Sequence, residues 1–479
     1  MRTAVLRVAW PVAMLLAGLT LQSSVSSREA ARWPQFRGPQ SLGIADGMRI
    51  PDRWSTKDNV TWVIDVPGRG WSSPVVWDNK IFVTSAVSPS AFKEPSTGIY
   101  GNDYIAEMRK QGLPPAEISR RVQARDNELP SEVSADIEWR LFCFDARTGK
   151  QLWDAEIHRG RPMGGRHRKN TYASETPVTD GKRVYVYLGN IGLFAYTLDG
   201  RREWATPLAP HKIYLDFGTA SSPVLHDDRI FILNDNQESS YLAAYDSRTG
   251  KEVWKAARTA DASPLVKSSF STPFIWKTPK RTEVVIMGPR SLTSYDPDGR
   301  ELWRVGGMSQ LGAPTPVAAG DMLIAGSGSP SETIRPLLAV RPNAAGDITL
   351  AEGKTSNDHV AWYQERGGSY ITSPLAYDGR VYVLFDQGFF AATDLATGRQ
   401  IYKVRIGEGG VAFSASPWAS NGRIFCLSED GVTYVIQAGD EYKLLATNDL
   451  AEMSLATPAV IPDALFIRTA TKLYRIGQS

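Results

Sequence analysis

Cysteine and histidine are scarce: the 479 residues include 2 Cys and 5 His. Cys143 and Cys426 stand far apart, and an exported chain of this size stapled by disulfides carries more cysteine than this. Both are therefore expected as buried free thiols. The absence of a Cys-x-x-Cys-His segment excludes covalently attached c-type haem. No Cys/His group has the spacing of a zinc site, and no Gly-x-Ser-x-Gly elbow supports hydrolase chemistry. Neither sign of charge dominates. Of 54 basic side chains Arg2 and Arg7 fall in the N-terminal leader described next, so the remainder carries 52 against 51 acidic ones, a net of +1. That balance argues against nucleic acid as a partner and against a general electrostatic attraction to membranes.

Long apolar runs are also missing beyond the first 27 residues. Arg2 and Arg7 precede an uncharged stretch at 8–21, and small residues follow at 24–27. The stretch is shorter than the roughly 20 residues a membrane span needs. It predicts a signal peptide over 1–27 and an exported, periplasmic protein, with an uncleaved N-terminal anchor as the alternative. No Cys lies near the cleavage region, which excludes a lipid-modified leader of the lipoprotein type. Residues 28–57 read as an extension before the repeats.

What is abundant is repetition. Ser/Thr-Pro steps leading into apolar strands recur at Pro74, Pro177, Pro223, Pro273, Pro316, Pro374, Pro417 and Pro458. Apart from the first, the intervals are of the 40–60-residue order of a four-stranded propeller blade. A second periodic element accompanies them. Asp145 to Gly149 leads to Trp153, Asp246 to Gly250 to Trp254, and Asp394 to Gly398 to Tyr402, always eight positions from Asp to aromatic. Asp199 to Trp204 and Asp296 to Trp303 are shortened versions. Asp fixes a tight turn through its local backbone bonds, Gly takes positive φ, and the Trp is placed to wedge against the next unit, since one unit cannot bury its face alone. Trp362 belongs to the same outer-strand series. The last unit has three strands, and residues 60–66 around Trp62 supply the fourth. The expected fold is all-β: an eight-bladed propeller over 58–479 closed by an N-terminal outer strand, which leaves no sheet edge open.

The run from Ala244 to Trp254, Ala-x-Asp-x-x-Thr-Gly-x-x-x-Trp, resembles the docking motif of the pyrroloquinoline-quinone repeat, and the resemblance covers roughly 55–476. It is similar to the outer-membrane assembly factor B group and its paralogues, whose opening resembles Trp33-Pro34-Gln35-Phe36-Arg37-Gly38-Pro39, and more distantly to quinoprotein alcohol dehydrogenases. The first resemblance implies protein partners. The second implies a quinone stacked on Trp and a disulfide of adjacent cysteines beside calcium held by Glu, Asn and Asp. The adjacent cysteines are missing here and no calcium triad falls at matching positions. Pyrroloquinoline quinone is therefore not expected as a required cofactor, and neither a metal nor a catalytic residue is assigned.

Three departures from the repeat are candidate functional features. Residues 88–136 interrupt the first blade, with a helix expected over 115–127. Residues 158–169, between the first and second blades, carry Arg159, Arg161, Arg166, His167, Arg168 and Lys169 around Gly164-Gly165. Both are expected on one face, where the basic loop is read as mobile and as a partner site. Large side chains ahead of the inner strands, Trp71, Phe270, Tyr370, Phe413 and Leu455, are expected to ring the channel mouth. The reading is a monomeric, non-catalytic scaffold of the bacterial envelope that binds an envelope protein or an anionic envelope component; the alternative is a quinoprotein dehydrogenase-like protein.

Overall fold

The computed structural model describes residues 31–89, 93–98, 102–258, 266–330, 332–407 and 409–477; the expected leader over 1–27 lies outside them. Among the described residues eight antiparallel sheets form an eight-bladed propeller. Blade 1 runs from its inner strand Val75–Trp77 through Lys80–Val87 and Ile137–Asp145 to its outer strand Gln151–Gly160. Blade 8 has Ala459–Ile461, Ala464–Arg468 and Lys472–Ile476, with Val60–Asp65 as its outer strand. In that closing pair Val63 faces Tyr474 and Ile64 faces Leu473, as the missing fourth strand predicts.

The Ser/Thr-Pro steps have a shared physical cause. The N–H of Ser73 donates to Thr176 Oγ1 at 2.9 Å, Thr176 to Ser222 Oγ at 2.9 Å and Ser222 to Thr272 Oγ1 at 3.1 Å. Thr272 donates to Thr315 Oγ1 at 3.3 Å, and Thr315 to Ser373 Oγ at 3.0 Å. Ser373 donates to Ser416 Oγ at 3.0 Å, and Ser416 to Thr457 Oγ1 at 3.0 Å. Blades 1 to 7 thus each hand one backbone donor to the hydroxyl of the next, in a buried belt around the channel. The following Pro keeps its predecessor extended and brings no further N–H to the innermost edge.

At the rim the blades are joined by the Trp and Gly of the second repeat. Trp153 Nε1 donates to Leu198 O at 3.0 Å, Trp254 to Pro297 O at 2.9 Å and Trp362 to Leu395 O at 2.8 Å; Trp204 bonds Ser247 O in the same way. The indoles lie flat on turn glycines. A Cβ on Gly200 would approach Trp153 to 2.7 Å, and one on Gly299 would approach Trp254 to 2.8 Å, both glycines having positive φ. Trp62 closes the circle, bonding Ala146 O at 3.3 Å over Gly149. Trp153, Trp204, Trp254, Trp303 and Trp362 all pair just before a register shift in the neighbouring strand. Trp303 shares this position but donates to Glu283 Oε2 at 2.6 Å within its own blade. A loop of blade 5 adds Gly346–Asp347 alongside Trp303 as a fifth strand, which accounts for the long 316–374 interval.

Both ends of the channel meet segments outside the repeat. Where the inner strands turn into the second strands, residues 32–48 form a plug. Trp33 pairs with Val76 of blade 1, Pro34 O accepts from Thr179 of blade 2, and Ala45 exchanges into Ala419 of blade 7. The chain then passes Trp54, stacked on Phe425, before entering blade 8. At the opposite end the 88–136 insertion contains Pro115–Asp126, as expected, and a second helix, Asn102–Lys110.

Two measurements check this architecture. Deleting residues 31–66 is expected to lower the melting temperature by more than 10 °C, on the order of several kcal/mol in a domain, and to cause association through the edge exposed on blade 8; an unchanged melting curve contradicts it. Cys143 in blade 1 and Cys426 in blade 7 are both free and buried, and burial pushes the Cys143 thiol up to about 12. A thiol reagent should therefore detect no reactive group in the folded protein and two per chain after unfolding without reductant.

Candidate functional site

The insertion and the basic loop meet through a short antiparallel pair, Asn127–Glu128 with Arg166–His167. The insertion also reaches over the channel mouth. Gly98 N donates to Glu429 of blade 7 at 3.0 Å, while Gln123 and Asn127 bond Asp216 and the carbonyl of Leu215 in the loop between blades 2 and 3. Both departures from the repeat therefore lie on one face.

The loop is not a free basic segment: most of it is tied to the insertion and to blade 7. Arg166 is only 2% exposed; its Nε lies 2.8 Å from Glu128 Oε2, and its remaining nitrogens bond the carbonyls of Asn170 and Lys93. Lys169 Nζ bonds buried Glu429 Oε1 at 2.8 Å. Arg168 is tied down through its backbone, to Asp126 O and from Ser96 N. His167 stacks edge-on against Phe217. Burial, with the cations Lys169, Arg168 and Arg166 around it, lowers its pKa to about 3, so its ring is neutral at physiological pH. Gly165 is a close approach rather than a hinge: a Cβ there would sit 2.9 Å from both Asp216 Cβ and Glu128 O.

Arg159 and Arg161 remain at the surface, 51% and 54% exposed by side chain. They are paired as well, Arg159 with Glu138 and Glu156, and Arg161 with Asp136 and the carbonyls of Val133 and Ser134. With Val87, Ser88 and Pro89 these residues border an open groove of about 660 Å³. Two large apolar side chains are exposed on the same face, Met163 in the loop at 63% and Ile334 in a blade 5 connection at 46%. Sequence reasoning passed over both, along with the acidic partners Glu128, Asp136, Glu138 and Glu429. Only the acidic run that follows the Pro115–Asp126 helix offered a signal.

The expected aromatic ring is mostly packing. Phe413 is fully buried against Tyr434. Trp71 is nearly so and donates its indole N–H to Lys169 O at 2.7 Å. Phe270, Tyr370 and Leu455 are half-buried. The cavity beside Phe270, lined also by Tyr187 and Ser221, holds about 10 Å³, no more than one water needs. Close to Tyr370, Asp386 lies near Arg335, and burial raises its pKa while Arg335 and Lys169 oppose the rise.

The family described as outer membrane protein assembly factor BamB matches over residues 131–291 and 288–444. The chain belongs to that family. Solved structures with the same propeller include the quinohemoprotein alcohol dehydrogenase of Comamonas testosteroni, 11% identical with a TM-score of 0.55. Another is the quinohemoprotein alcohol dehydrogenase ADHIIG of Pseudomonas putida HK5, 12% identical with a TM-score of 0.53. Each alignment covers 94% of this chain and 81% of the other. BamB from Moraxella catarrhalis is 14% identical, with a TM-score of 0.49 over 71% of this chain and 91% of its own. No curated protein matches the sequence significantly.

The contrast between buried and exposed cations in this BamB-family chain is measurable. Arg166→Met and Glu128→Gln should each cost about 3–5 kcal/mol, because each leaves a partner charge or its hydrogen bonds buried and unmatched. The double change should cost clearly less than the sum of the two. Arg159→Gln should leave the denaturation midpoint in place, as its charge is already in water. Equal effects of Arg166→Met and Arg159→Gln contradict the assignment.

Proposed function

We propose that this BamB-family propeller is an exported, periplasmic, monomeric scaffold without catalytic function, which binds an envelope protein through the face built by residues 88–136 and 158–169. The observation that carries this reading is that the insertion is tied to the basic loop by the Arg166–Glu128 pair, and that both the insertion, through Gly98 N, and the loop, through Lys169, are tied to Glu429 of blade 7. A propeller acting on a small substrate through its channel needs that mouth open. One that presents a surface gains from a fixed, elaborated cover, since long loops on a rigid scaffold are where recognition usually sits. The face mixes paired charges with exposed Met163 and Ile334, the apolar-within-polar composition of protein interfaces. Because its cations are already matched by carboxylates of the same chain, a protein surface suits it better than an anionic polymer or headgroup. Arg159 and Arg161 are its accessible cations, while Arg166, His167, Arg168 and Lys169 form the part of the face packed against the insertion and blades 2, 3 and 7.

Our reading leaves out a quinone of the kind for which the quinohemoprotein dehydrogenases of the same fold are named. A planar tricyclic acid needs a slot between flat walls. Here Phe413 is buried, Trp71 is covered and hydrogen-bonded, and the space beside Phe270 is that of about one water. Among the described residues no group of three or more Asp, Glu, His or Cys is placed to hold a metal. None of those residues forms a helix long and apolar enough to cross a membrane.

A photo-crosslinking side chain placed at Met163 should give a discrete adduct with an envelope protein, whereas the same group at Val253, exposed on the rim of blade 3, should not. Neutralising Arg159 and Arg161 and raising salt through the screening range should both weaken the adduct. Equal adducts from the two positions overturn the proposed face. Added pyrroloquinoline quinone and calcium should produce no dye-linked oxidation of alcohols or aldoses, and quinone-dependent turnover overturns the non-catalytic reading.

A further inference from the structure

The plug contains a buried cation that the protein itself does not neutralise. Arg37 is 0% exposed. Its Nη2 donates to Pro374 O at 2.8 Å and to Leu42 O at 3.3 Å. Its Nε and Nη1 are buried and meet no protein acceptor, and neither does the neighbouring Trp33 Nε1. Two other buried guanidiniums face carboxylates. Arg166 faces Glu128 and Arg258 faces Asp235. Arg468 has no carboxylate either, and burial lowers its pKa to about 9, but Ser72 O and Oγ, Thr84 O and Ser85 Oγ take up both its terminal nitrogens and leave only Nε unmatched, whereas Arg37 leaves both Nε and Nη1. At Arg37 burial alone acts on the pKa, lowering it to about 9 with no carboxylate opposing. The group therefore stays charged at neutral pH. A buried charge without a counter-charge is among the costliest features a fold can carry.

The backbone around it is equally committed. Arg37, Gln40 and Ser41 hold left-handed conformations, with φ of 61°, 54° and 57°. Strain of this kind persists where the surroundings over-determine it, and it concentrates at binding sites. Gly43, with φ of 71°, lies against the guanidinium. A Cβ there would come within 3.2 Å of Nη2 and 3.3 Å of Nε. Glycine at this turn thus leaves room for the planar group, whose Nε and Nη1 stay buried without a protein acceptor.

We propose that the plug holds a small monovalent anion, of chloride size, against the Arg37 guanidinium inside the propeller, taken up as the ring closes. Water can satisfy N–H donors but leaves the charge unmatched; an anion does both. The enclosure by buried Trp33, Ser41 and Ala45 sets the size limit and excludes a nucleotide or peptide carboxylate. The site is separate from the proposed partner face, at the other end of the channel, and stands or falls independently of it.

The test replaces chloride by bromide through a cycle of unfolding, refolding and crystallisation of the mature chain. Anomalous diffraction should place bromide within hydrogen-bonding reach of Arg37 Nε or Nη1. In solution, chloride should raise the melting temperature above that in gluconate at equal ionic strength by about 4 °C. Arg37→Lys should keep this difference and Arg37→Met should abolish it. If Arg37→Met does not fold, the bromide map on the unaltered protein still decides. A map with only water, or no density, beside Arg37 overturns the proposal, as does an identical response to chloride and gluconate.

Discussion

The hydrogen bond from one blade's backbone to the next blade's Ser or Thr hydroxyl is the constraint on which the other features rest. Inner strands have a neighbour on one side only, so their remaining donors need partners around the channel. Handing each donor to the following hydroxyl fixes the blades at equal angular steps. Strands that converge at the centre must then diverge at the rim, and the wedge between them has to be filled. The indole-on-glycine contacts fill it. An indole supplies the area, its N–H finds a turn carbonyl, and only glycine leaves room for the ring in a turn that also needs positive φ. The two repeats in the sequence are thus the inner and outer halves of one geometric solution.

The segments outside the repeat act where the ring alone leaves the channel open. At one end the N-terminal plug ties blades 1 and 2 to blades 6 and 7. At the other, the insertion carries the acids that match the basic loop. Burying Arg166 against Glu128 contributes little net stability once desolvation is counted. It ties the insertion to the basic loop at one place, since moving either segment away leaves a buried charge unmatched. Specificity of placement, more than strength, is what such a pair adds here.

The blades were legible because each is set by short-range chemistry repeated at a regular spacing: Ser or Thr before Pro, Asp before Thr-Gly, Trp several residues later. The closing strand was legible because a unit with three strands demands a fourth. The family resemblance rested on the same residues. The candidate face was legible only in outline. That residues 88–136 and 158–169 meet follows from blade topology. That Arg166 is buried while Arg159 is exposed does not, because it depends on Glu128, 38 positions earlier in a segment without periodicity. The large residues ahead of the inner strands read as a ring at the channel mouth, since nothing local reveals the cover over Trp71 and Phe413. The motif from Trp33 to Pro39 was visible as a motif, but its place in the fold depends on contacts such as Arg37 with Pro374, 337 positions away.

Blade 8 joins the two ends of the described chain: Thr61 Oγ1 accepts from Arg475 and donates to the carbonyl of Gly477, 416 positions later. Contacts between such distant residues carry a large loop-closure entropy until the intervening blades are in place. Seven blades can assemble in the order of synthesis, but the ring stays an open arc, with an unpaired strand at its end, until the last strand arrives. The chain is therefore most exposed to misassociation just before completion. Ring closure thus adds a long-range step that loop-closure entropy slows, however quickly the individual blades form.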